Sequence, residues 1–159
     1  MTIIDKIRAS IQAVHGNNFP VYYHDEETLN LMADTMTFPC AMVYLLTRGA
    51  MEHASGQVRE VVSAVVFFIE PSSFDFDADA NEVIIDRCKR RAFQWWLANP
   101  MDEWITIKDV EQTQRAYEQF DAILTGYALL CRISEIEGVT DCPVLQGDFN
   151  NDFNNDFLI

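Results

Sequence analysis

Asp75, Asp77, Asp79 and Asn81 stand at alternate positions, and Asp86 falls where the last carboxylate of a calcium loop would be. Oxygen ligands spaced in this way can turn around one hard cation. Ala80, however, occupies the place where such a loop needs glycine for its sharp turn, and Val83 to Asp86 already read as helix. The same acids serve better as a helix start, with Asp79 as N-cap and Glu82 closing a capping box. No metal ligand set is expected. His15, His24 and His53 are scattered, and Asp25 beside His24 has no nucleophile near it in sequence. Ser55, Ser63, Ser72, Ser73 and Ser134 lie in no nucleophile elbow. No glycine loop suited to phosphate is present. Cys40, Cys88, Cys131 and Cys142 are far apart and form no CxxC pair, and the first three have apolar neighbours in sequence. They read as small core residues rather than zinc ligands. The expectation is a protein without catalytic residues or cofactor.

Two stretches carry binding chemistry instead. Arg87, Lys89, Arg90 and Arg91 hold four of the eleven basic residues. They are either a solvated helix face that satisfies nearby acids or a charged contact to an acidic neighbouring subunit. Near the C-terminus, Asp148-Phe149-Asn150-Asn151 recurs as Asp152-Phe153-Asn154-Asn155 and begins again at Asp156-Phe157. Such a segment is either a disordered tail or one that orders on a partner and places Phe149, Phe153 and Phe157 in pockets.

The element that organises the rest is the stretch Phe74 to Pro100. Ile84, Cys88, Ala92, Trp95 and Trp96, with Phe93, form a broad apolar side at helical spacing. Val83, Arg87, Arg90 and Gln94 fall on the other side. Asn99-Pro100 ends the helix, because a residue before proline is pushed out of the α region. Ahead of it, Thr2 to Val14 reads as a short amphipathic helix stopped at Gly16. Phe19 to Tyr23 is a short extended segment, and Pro20 suits a sheet edge. His24 to Thr37 reads as an irregular excursion or a turn or two of helix. Cys40 to Thr47 and Gln57 to Glu70 are apolar, β-rich strands joined by a connection over Arg48 to Ser55. After the long helix, Trp104 to Tyr117 alternates in its first half, and Phe120 to Glu137 holds a strand with Tyr127, Leu129, Cys131 and Ile133 on one side. The expected fold is α+β: an antiparallel sheet with one long helix on a face, a short N-terminal helix and an extended tail. Its core should join Trp95 or Trp96 with Val65, Phe67 and Leu129. One domain over residues 1–140 and a tail over 141–159 follow.

Apolar residues make up 49% of the 159, which is too many for a disordered chain. No apolar run is long enough to span a membrane, and the N-terminus lacks the stretch of a signal peptide, so a soluble cytoplasmic protein is the default expectation. The net charge of −14 repels nucleic acid. It serves either solubility or a surface past which nucleic acid slides.

The order of elements, with the Phe38-Pro39-Cys40 strand entry, the Val61 to Ile69 strand, the Asn81 to Ala98 helix and the Leu124-Thr125-Gly126 to Ile136 strand, resembles the small neck proteins of tailed bacteriophages, the tail terminator and tail-completion group. The resemblance covers about residues 1 to 140; the Asp-Phe-Asn-Asn tail and the His24 to Thr37 excursion depart from it. It implies a virion protein with no active site. Such subunits close into a ring, a hexamer first and a dodecamer second, where head joins tail. The ring stops growth of the tail tube and contacts tail tube and head-connector proteins, and DNA passes its lumen without specific binding. Host cytoplasm during assembly and the virion neck afterwards are the implied locations. The competing class is a non-viral bacterial adaptor without a ring; a small enzyme is the third.

Overall fold

The computed structural model describes residues 2–23, 28, 35–54, 57–72, 78–98, 105–119 and 124–135. Helix α1 spans Ile3–His15, β1 Val21–Tyr23, β2 Cys40–Ala54, β3 Gln57–Pro71, α2 Ala78–Ala98, β4 Ile105–Gln119 and β5 Leu124–Glu135. The sheet order is β1-β2-β3-β5-β4. β1 pairs with β2 in parallel, and every other pair is antiparallel. This is the expected α+β architecture. Both hairpins join strands adjacent in sequence, and α2 is the crossover that lets β5 return beside β3.

β3 is the central strand, and its sequence explains why. Val61 to Ile69 is nearly continuous apolar chain, which suits a strand buried on both faces. Ala64, Val66 and Phe68 point toward the helices, where they meet Ala41, Val43, Tyr127, Leu129, Cys131 and Ile133. Ile84, Ile85, Cys88, Ala92 and Trp95 of α2, with Ile7 and Ile11 of α1, close this layer. A smaller layer on the opposite face gathers Met36, Cys40, Met42, Phe67, Ile69, Leu124 and Ala128, with Val65 packed against it. The expected set is therefore corrected: Leu129 does share the helix-side core with Trp95, but Val65 and Phe67 belong to the other face. A strand apolar at every position carries no alternation from which its facing could be read. Of the two tryptophans, one of which is expected to be buried, Trp95 is fully buried and Trp96 remains 39% exposed.

Polar contacts fix the helices on the sheet. The Trp95 indole Nε1–H donates to Ser10 Oγ at 2.7 Å, and Ser10 donates to the Ile7 carbonyl at 3.0 Å. The only polar atom of the largest buried side chain is thus satisfied. α1 starts in a capping box: Thr2 Oγ1 accepts from Asp5 N–H at 3.2 Å, and Asp5 accepts from Thr2 N–H at 3.1 Å. It ends at Gly16, whose φ of +103° favours glycine and whose N–H bonds Gln12 O. α2 starts differently from the expected cap. Asp79 lies inside its first turn, and Glu82 pairs with Arg115 of β4. Asp79, Asn81 and Asp86 all lie in α2, and Asp79 and Asp86 sit two turns, about 10 Å, apart along the axis, which cannot wrap one cation. Asp75 and Asp77 lie outside the described residues.

The β2–β3 hairpin is longer than expected. Arg48 to Ser55 is not a connection; β2 continues to Ala54 and pairs Ala54 with Gln57. A register shift between Leu45 and Gly49 marks a bulge. Among the described residues β5 pairs with β3 only from Val61 onward, so Met51↔Glu60 to Ala54↔Gln57 form an arm beyond that pairing, about 13 Å long. Its described side chains, Met51, Glu52 and Glu60, belong to neither core layer, so no apolar alternation marks it as strand.

Candidate interaction surface

The helices cover one face of the sheet, and on the other a partly open stretch lies beside the smaller core layer. On that second face Tyr44 and Leu46 of β2, Val65 of β3, Ala128 and Leu130 of β5, and Gln112 and Gln114 of β4 line a groove of about 200 Å³. Its floor is apolar by register: Tyr44 opposes Val65, Val65 opposes Leu130, and Leu130 opposes Gln112. Tyr44 stacks on Phe67 at 6.0 Å, which ties the groove to the smaller core layer. Leu46 is 40% exposed on its rim. The two glutamines give that rim donors and acceptors on one side.

Toward the arm, the same face becomes ionic. Arg132 of β5 reaches over β3 to Glu52 of β2 at 3.2 Å, and it also meets Asp109 at 3.6 Å and Glu111 at 4.0 Å on β4. Lys108 joins Glu52 at 3.3 Å. One guanidinium thereby links the base of the arm to the edge strand. Ser134 Oγ lies near it in sequence, buried and without a partner. Pairs at this level of exposure contribute little each, and the value of the set is positional.

The basic run of α2 is divided in its roles. Arg87 and Arg91 both hold Glu70 at the end of β3, Arg87 at 2.7 Å. Burial pushes the Glu70 carboxyl up, but the two guanidinium hydrogen bonds outweigh it and its pKa lies below the usual value. Lys89 stands 5.5 Å over the Phe93 ring, and Arg90 is exposed. Phe149, Phe153 and Phe157 lie outside the described residues. Sequence reasoning singled out neither Glu70, Glu52 nor Arg132. The signal for Glu70 was a lone acid between the apolar run of β3 and Pro71; for Arg132 it was a charge on the half-open side of β5.

The remaining candidates for chemistry are not brought together. His15 Nε2 lies 3.2 Å from the Arg91 carbonyl, which only accepts, so Nε2 carries the hydrogen. Its ring contacts Phe19 and Phe68, at 5.1 and 5.5 Å. Burial holds its pKa below 6.5, against the hydrogen bond to the carbonyl and with help from the Arg91 charge. An open hollow of about 440 Å³ beside it is lined by Asn17, Asn18, Phe19, Thr37 and Phe38. Ser72 is spent on Thr125, at 2.6 Å between hydroxyl oxygens. His24, Asp25, Ser55 and Ser73 lie outside the described residues. Cys40, Cys88 and Cys131 are buried, and burial raises each thiol to about 12, so none is a ready nucleophile. Among the described residues no group of three or more His, Cys, Asp or Glu could hold a metal. No helix among them is long and apolar enough to cross a membrane. No protein-family model matches the sequence, and no curated protein resembles it significantly.

Proposed function

We propose that this chain is a structural subunit of a tailed-bacteriophage neck, a tail terminator or head–tail joining protein that closes into a ring and has no catalytic role. The observation that carries the reading is the division of the sheet. One face and both helices form the larger core, while on the opposite face the groove of Tyr44, Leu46, Val65 and Leu130, beside the smaller core layer, and the arm with its exposed Met51 are available to meet other proteins. Open apolar surface with a polar rim is the usual mark of a protein contact. The charge fits as well. Arg8, Arg87, Arg91, Lys108, Arg115 and Arg132 are each paired with an acid of the same chain. At a net charge of −14 this leaves a surface past which a DNA duplex would slide. Arg90, Lys89 and the C-terminal phenylalanines are the contacts we assign to neighbours: adjacent subunits, the tail tube or the connector. A hexamer is the first expectation and a dodecamer the second.

Mass photometry and negative-stain imaging of the purified chain test this reading. A closed ring with a central opening is the expected result. A monomer at every concentration, alone and mixed with tail tube protein, would abandon the ring in favour of an adaptor.

A further inference from the structure

We propose that the groove of Tyr44, Leu46, Val65, Ala128 and Leu130 is the receptor for the chain's own C-terminal segment, filled in the free subunit by a phenylalanine of the Asp-Phe-Asn-Asn repeat. The proposal does not rest on the ring. Three observations meet in it. The groove is apolar, holds space for about one phenyl ring, and carries amides, Gln112 and Gln114, along one side. The described chain ends at Glu135 of β5, the strand that supplies Ala128 and Leu130. Residues 136–159 follow, enough at roughly 3.3 Å per residue to cross the whole face. The third observation is the pattern of the repeat in an extended conformation. Phe149, Asn151, Phe153, Asn155 and Phe157 fall on one side, and Asn150, Asp152, Asn154 and Asp156 on the other. Rings and amides then face a groove of apolar and amide side chains. The carboxylates face water, away from Glu52, Asp109 and Glu111 on the same face of the sheet. Tethering favours the chain's own groove over that of a second copy, because a linker of this length sets a high effective concentration. Assembly can then exchange the segment for a neighbour's.

The test uses the full chain with benzoylphenylalanine in place of Phe153. After irradiation, cross-links at monomer mass are expected to map to peptides containing Tyr44, Leu46 or Leu130, with a yield independent of dilution. Cross-links scattered over the surface, or none, would overturn the groove. Cross-links found only in covalent dimers, and lost on dilution, would overturn its occupation by the same chain. A second arm compares chymotrypsin cleavage after the repeat phenylalanines in the unmodified chain and in Leu130→Asp. The variant should be cut on the order of tenfold faster, as a docked segment must open before it is cut. Equal rates in a Leu130→Asp protein that still melts cooperatively would also defeat the proposal. If that variant does not fold, the cross-link map alone decides.

Discussion

Single side chains set the stability of this fold at identifiable points. Trp95 is fully buried against Phe68 and bonded to Ser10. Trp95→Ala should cost about 3–5 kcal/mol in urea unfolding. Ser10→Ala leaves the indole N–H buried without a partner and should cost about 1–3 kcal/mol. If Ser10→Ala melts like the parent, the hydroxyl is not what seats α1 on α2. Trp96→Ala, at a half-open position, should cost clearly less than Trp95→Ala. His15 gives a pH dependence whose sign follows from its environment. Its folded pKa is depressed below 6.5, so the unfolded chain takes up a proton first as pH falls. Stability is then full above 6.5 and drops as pH falls below it. Glu70 and Asp5, whose folded pKa values are also depressed, add their own losses only toward their ordinary values of 4.5 and 3.8 and below. Among the groups with a shifted pKa in the described residues, the interval from about 6.5 to 5 therefore belongs to His15. A His15→Gln chain should lose this slope in thermal melts, and an unchanged slope would remove His15 from the account.

Among the elements, α2 and the paired strands were legible because their patterns are enforced by one-sided burial. The apolar row Ile84, Cys88, Ala92, Trp95 meets a core on one side only, and in β5 the alternation Tyr127, Leu129, Cys131, Ile133 fills the helix-side core while Leu130 and Arg132 between them are only half-buried. What escaped was where that condition fails. β3 is buried on both faces, so its facing could not be read. In the arm the described side chains Met51, Glu52 and Glu60 join no core, so its strands looked like a loop. The groove was invisible because it is assembled from four strands, one of which supplies amides rather than apolar side chains. Glu82 reads in sequence as a cap partner at close range, and its ion pair with Arg115, far away in sequence, could not be read there. Gly126, which reads as a turn residue, sits inside β5. A Cβ there would lie 2.9 Å from the Ile69 Cα. Gly126→Ala should therefore destabilise by about 1–3 kcal/mol, or more, as overpacking against backbone that cannot yield. A midpoint equal to the parent's would mean that β3 and β5 can separate at that rung at no cost.

For the molecule as a whole, assembly and charge are coupled. If Arg90 meets an acidic neighbour, Arg90→Glu should reduce the ring fraction in mass photometry while leaving the unfolding free energy of the subunit within about 0.5 kcal/mol of the parent. Added salt should weaken the parent ring in the same direction, since exposed pairs are screened beyond about 8–10 Å. A ring indifferent to both would place the contact elsewhere. The three buried thiols offer a different use. Cys40 lies under the face opposite the helices, Cys88 on α2 and Cys131 on β5, and each is held protonated by burial. An alkylating reagent can therefore reach them only when their part of the molecule opens, so each is a clock for its own layer. Peptide mapping of the modified residues over time would rank the openings. If Cys40 is labelled well before Cys88 and Cys131, the smaller layer loosens alone. Labelling of all three at one rate would mean that the two faces of the sheet come apart together.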